Sequence, residues 1–123
     1  MSAVTRVGTV IVPVTDQDRA LEFFVGVLGF ESRMDAPFGP GERWIEVAPP
    51  GAETTVALVA AASGSGGGVE VSLATTDAQA DHAALREAGV DVDAEVTRMG
   101  DSVPPMFTFR DPDGNRFRVV QRD

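Results

Sequence analysis

Val10, Val12 and Val14 recur at every second position, with Val7, Thr9 and Ile11 between them. A period of two in β-branched residues predicts a strand over 7–14 with Val10, Val12 and Val14 on one face and Val7, Thr9 and Ile11 on the other. Thr15 or Asp16 is placed to cap a helix, in which Ala20, Leu21, Phe24, Val25 and Leu28 fall at helical spacing before Gly29 stops it. Leu21, Phe24 and Leu28 are the side chains expected against the sheet. Another strand starts over 30–34, and 36–42 is turn-rich. A hairpin follows, with strands over 43–48 and 54–59 around Pro49-Pro50-Gly51-Ala52.

The glycine- and alanine-rich stretch 60–68 reads as a flexible linker. After it the order starts again, with a strand over 69–75, Thr76 or Asp77 as cap, a helix over 78–88 closed by Gly89 and a strand over 90–97. The last element is a hairpin over 106–120 that turns at Asp111-Pro112-Asp113-Gly114-Asn115. Asp16 and Asp77 lie 61 residues apart, and so do Ala57 and Arg118. The chain therefore reads as one domain, 1–123, made of two βαβββ modules, 4–59 and 69–121.

Charge and composition remove whole classes of function. A net charge of −9 with no basic stripe opposes nucleic-acid binding. No apolar run approaches membrane length, and no leader pattern opens the chain, so a cytoplasmic location is expected. The chain has no cysteine, which excludes disulfides, thiolate metal sites and cysteine nucleophiles. Its single histidine, His82, excludes any site that needs several imidazoles. His82 falls at the helix position matching Leu21 and reads as a helix-face residue. Asp91, Asp93 and Glu95 alternate like a solvated strand edge.

The segments Val14-Thr15-Asp16, Ala20-Leu21-Glu22-Phe23-Phe24, Leu28-Gly29-Phe30 and Asp111-Pro112-Asp113-Gly114-Asn115, set in a repeated βαβββ order, resemble the vicinal oxygen chelate superfamily. This is the glyoxalase, bleomycin-resistance and extradiol-dioxygenase group. The resemblance implies an α+β fold whose two modules form a curved mixed-sheet cup, usually in a homodimer. Enzymes of the group hold a divalent metal in the cup, on the first and last strands of each module. Members without the metal bind and sequester small molecules.

Carried onto this sequence, the four metal positions are Thr9, Ala57, Glu70 and Arg118, with both modules giving the same 48-residue spacing. Only Glu70 is a good ligand for such a cation, and the permanent charge of Arg118 opposes one. No metal or other cofactor is therefore expected, short of rescue by a nearby Glu46 or by His82. Glu70 and Arg118 should pair. Their roles are then a structural ion pair or, more sharply, an arginine fork for an anion with Glu70 orienting it or acting as base.

Thr9, Ala57, Phe38, Trp44, Met99, Met106 and Phe107 are the candidate lining of the cup, with Trp44 the natural stacking platform. The loop 98–105 is a candidate cover for its mouth, and the 111–115 turn is expected to be structural. These residues favour a metal-free small-molecule binding protein. The alternative is a glyoxalase-like lyase or isomerase, or a dioxygenase-like enzyme, with an altered metal site.

Overall fold

The computed structural model describes residues 2–61 and 68–122. Most of the expected linker, residues 62–67, lies outside them; Ala60 still belongs to a strand. The chain divides into two compact units, 1–65 and 66–123.

The first unit runs β1 (Thr9–Val14), α1 (Gln17–Leu21), β2 (Glu31–Pro37), β3 (Arg43–Ala48) and β4 (Thr55–Ala60). The second runs β5 (Glu70–Thr75), α2 (Ala78–Glu87), β6 (Asp91–Val92), β7 (Met106–Arg110) and β8 (Arg116–Gln121). Each unit is thus βαβββ, and each forms a four-stranded mixed sheet, in the orders β1-β4-β3-β2 and β5-β8-β7-β6. The first and last strands of a unit pair in parallel, with Ile11 opposite Ala57 and Ser72 opposite Arg118. The 61-residue offset of the sequence repeat is therefore also the offset of the strand register.

One face of each sheet carries the helix and the core. In the first unit Val12, Val14, Phe24, Ile45, Val47 and Leu58 are fully buried. In the second, Phe107, Phe109 and Phe117 take that role, and the last two stack at 5.2 Å and 13°. Burying one such side chain is worth about 1.5–3 kcal/mol. Asp16 caps α1 by accepting from the Arg19 amide, and Asp77 caps α2 by accepting from the Ala80 amide, each at 3.0 Å. Gly29 and Gly89 end the helical segments with φ of 80° and 81°, which glycine adopts without the Cβ penalty.

Three expectations need correction. The first helix does not keep its 3.6-residue period: after Leu21 it continues as a π-helix over Glu22–Val27, whose wider turn is closed by the Leu28 amide on the Phe23 carbonyl at 3.0 Å. That change of phase leaves Ala20 and Phe24 as the fully buried residues, puts Leu21 and Leu28 at intermediate exposure and turns Val25 and Val27 outward. The turn expected over 36–42 is shorter, because Ala36 and Pro37 still pair with Trp44 and Arg43. The strand expected over 90–97 shrinks to Asp91–Val92 and an isolated bridge from Thr97 to Met106. Between them, carbonyls leave the ladder for side chains: His82 Nε2 lies 2.7 Å from the Asp93 oxygen, and Arg86 donates to the Ala94 oxygen at 2.8 Å.

Among the described residues, no helix is long and apolar enough to cross a membrane.

Candidate functional site

Alternation places a second set of side chains on the helix-free face of each sheet. In the first unit Thr9, Thr55, Glu46 and Trp44 form one hydrogen-bonded chain. The Trp44 indole donates to Glu46 Oε2 at 2.7 Å, and the Thr55 hydroxyl donates to Glu46 Oε1 at 2.7 Å. Thr9 and Thr55 share a 2.8 Å bond. Since the single Thr55 proton goes to the carboxylate, Thr9 must be the donor to Thr55. The two bonds hold the Glu46 carboxyl below its ordinary value, the indole contributing most and the hydroxyl next, against a smaller opposing effect of burial.

Apolar groups surround this fixed anion. Ile11 and Met34 share its face and are exposed, and Phe38, also exposed, stands with its ring 5.4 Å from that of Trp44 at 51°. Arg43 steadies the strand carrying Trp44 by bonding both carboxylate oxygens of Asp35, at 3.1 and 2.8 Å, and Asp18 at 2.7 Å. The neighbouring β3-β4 turn is clamped by Arg33, which donates to the Pro49 and Ala52 carbonyls, both at 2.9 Å.

The second unit carries charge on the equivalent face. Glu70 lies 3.0 Å from Arg116 and 3.1 Å from Arg118, so the expected Glu70–Arg118 pair exists but is shared with a second arginine. Arg116 is directly across the strand pair from Glu70, whereas Arg118 reaches it diagonally from opposite Ser72. Arg110 is occupied by Asp93 at 2.7 Å and by Asp91 at 3.6 Å. Asp93 is consequently not a solvated edge residue: it also accepts from the Thr108 amide at 3.0 Å.

The remaining sequence candidates separate cleanly. Thr9 is half-buried in the hydroxyl chain. Ala57 lies in register between Ile11 and Glu46 and is fully buried, so its methyl offers a ligand no surface. Phe107, expected to line the site, belongs instead to the core: one residue out of phase with Met106 and Thr108, it is 1% exposed and meets His82 edge-on at 5.2 Å. His82 is buried by that contact and is no substitute ligand on the other face. Met106 shares a face with Arg118, while Met99 is exposed in the loop 98–105, whose start is tied to α2 by Arg98 donating to Gln79 at 3.3 Å.

The 111–115 turn is structural, as its sequence suggests. Asp111 Oδ1 accepts from the Asp113 and Asn115 amides and Oδ2 from the Asn115 side chain, all at 2.9 Å. Burial nevertheless raises the Asp111 carboxyl above its ordinary value, with these bonds and the charge of Asp113 as smaller effects.

Sequence reasoning missed Thr55, Ser72, Thr108 and Arg116, and treated Glu46 only as a spare metal ligand. The period of two was the available signal: Thr55 and Arg116 lie two residues before Ala57 and Arg118, on the same faces. Among the described residues, no three His, Cys, Asp or Glu side chains come together as a metal-binding group.

Two βαβββ units with the same strand order, each with a polar helix-free face, define an α+β protein of the glyoxalase and bleomycin-resistance architecture. Residues 6–119 match the Glyoxalase/Bleomycin resistance protein/Dioxygenase superfamily, and the chain belongs to it. It is 36% identical to TnmS3, an antibiotic binding protein from Streptomyces sp. CB03234, with both chains covered in full and a TM-score of 0.86. A superfamily member from Sphaerobacter thermophilus DSM 20745 is 35% identical, with 97% of this chain and 98% of that one covered and a TM-score of 0.87. The uncharacterized protein YetH of Bacillus subtilis (strain 168) is 32% identical over 121 residues, which span 96% of this chain and 99% of YetH.

Proposed function

We propose that this protein binds and sequesters a small organic molecule without a divalent metal, as a homodimer in the cytoplasm. One observation carries the reading: the side chains at the four metal positions are wrong for a dication or already engaged. Thr9 is spent on Thr55, Ala57 is a buried methyl, Glu70 is already paired with two arginines and Arg118 is itself a cation. That set cannot supply the three protein ligands of a catalytic zinc-type site. The binding half of the proposal is supported by the exposed Phe38, Met34 and Ile11 around Trp44, whose indole is held in place by Glu46, and by what TnmS3 does. A fixed indole is a low-entropy stacking surface for a flat ligand.

Elemental analysis of purified protein, followed by titration with a panel of aromatic antibiotics, tests both halves. The expected result is no stoichiometric zinc, nickel, manganese or iron, and saturable binding that weakens about three- to tenfold in Trp44→Ala. Stoichiometric metal, with binding abolished by a chelator, would overturn the proposal.

A further inference from the structure

The helix-free face of the second unit is ordered in three rows by its strand register. Across β5, β8, β7 and β6, the first row reads Glu70, Arg116, Arg110, Asp91. The next row reads Ser72, Arg118, Thr108, and the third Ala74, Val120, Met106. Charge, then a guanidinium between two hydroxyls, then an apolar strip follow one another along the strands, at about 7 Å per row.

The middle row is unfinished. Arg118 meets Glu70 through a single nitrogen, Nη2, at 3.1 Å, and its side chain is 47% exposed. Among the described residues, its other guanidinium nitrogens and the Ser72 and Thr108 hydroxyls have no hydrogen-bond partner. The planar two-donor fork that arginine offers to a carboxylate is therefore open. Arg116 and Arg118 share one carboxylate, so that trio keeps one positive charge in excess at the β5-β8 side of the face, while Arg110 with Asp91 and Asp93 keeps one negative charge at the β6-β7 side. A monoanion balances that excess. A dianion would be repelled by Glu70, which shares the same guanidinium.

We propose that this face binds a small organic monocarboxylate, its charge held by Arg118 between Ser72 and Thr108 and its apolar body lying over Ala74 and Met106, on either side of the buried Val120. The inference rests on the small-molecule-binding reading above and narrows it to a ligand class.

Calorimetric titrations with benzoate, its neutral isostere benzamide, and inorganic phosphate test the assignment in wild type, Arg118→Ala and the double variant Ser72→Ala/Thr108→Val. Wild type should bind benzoate at least roughly tenfold more tightly than benzamide, as one charge-assisted fork requires. Arg118→Ala should erase that preference, and the double variant should weaken benzoate about three- to tenfold. Arg118→Ala leaves Glu70 paired with Arg116 at 3.0 Å, so the fold should persist, as an unchanged melting curve would confirm.

Absence of benzoate binding, equal affinity for benzamide, tighter binding of phosphate, or a preference that survives in Arg118→Ala would each overturn the proposal. Aromatic antibiotics that still bind through Trp44 in such a case would leave the broader reading standing.

Discussion

Glu46 shows how one side chain can set both the shape and the pH response of a surface. Its two oxygens are occupied by the Trp44 indole and the Thr55 hydroxyl, which fix the ring plane and favour the ionised carboxyl. A carboxyl whose folded pKa lies below its unfolded one stabilises the fold above the ordinary carboxylate range. That contribution is lost as pH falls through the folded value. Glu46→Gln should accordingly cost about 1 kcal/mol at pH 7, with the deficit narrowing toward pH 3. Urea-unfolding midpoints at the two pH values measure both numbers, and a deficit independent of pH would contradict the argument. Neither bond was read from the sequence, where Glu46 stood only as a spare metal ligand. Trp44 is its neighbour two residues away on β3, but Thr55 comes from β4, nine residues away, and only the pairing of those strands brings that hydroxyl to it.

At the level of elements, strands and caps were legible because their signals are local. Alternating valines, an aspartate before each helix and a glycine after it all act within a few residues. The π-turn was not legible, since nothing local in Glu22–Val27 distinguishes it from the α-helical spacing that precedes it. The shortened β6 escaped notice for a different reason: long-range bonds from His82 and Arg86 decide where its carbonyls go.

The β7-β8 turn makes the most testable element. Asn115 is fully buried and donates its side-chain amide to Asp111 Oδ2. Asn115→Ala would leave that buried oxygen without its donor, and the expected loss is about 2–3 kcal/mol, read as a lower unfolding midpoint. Asp111 has the opposite pH sign from Glu46. Because burial raises its carboxyl, raising the pH from the ordinary aspartate value through the folded one removes stability instead of adding it.

On the scale of the whole molecule, the family could be recognised from the repeat and its turn motifs. The chemistry could be recognised only in outline: Glu70 and Arg118 were expected together, but not the second arginine or the two hydroxyls. Net charge acts at this scale as well. Each chain carries −9, so two copies repel at low ionic strength. Sedimentation should give a two-chain mass, with the dimer tighter at about 0.3 M salt than at about 0.02 M, because screening relieves the repulsion. A one-chain mass at every salt concentration and at micromolar protein would exclude the homodimer.

The shared register of the two sheets has one more consequence. Position for position, Ala57 in the first unit is Arg118 in the second, and Thr55 is Arg116. One half of the chain centres its helix-free face on an anion, Glu46, while the other presents a surplus guanidinium. Every experiment on one face thus has a blank built into the same polypeptide, with the same backbone scaffold and different side chains. An anionic ligand should prefer the half with Arg118, and its neutral isostere should lose that preference.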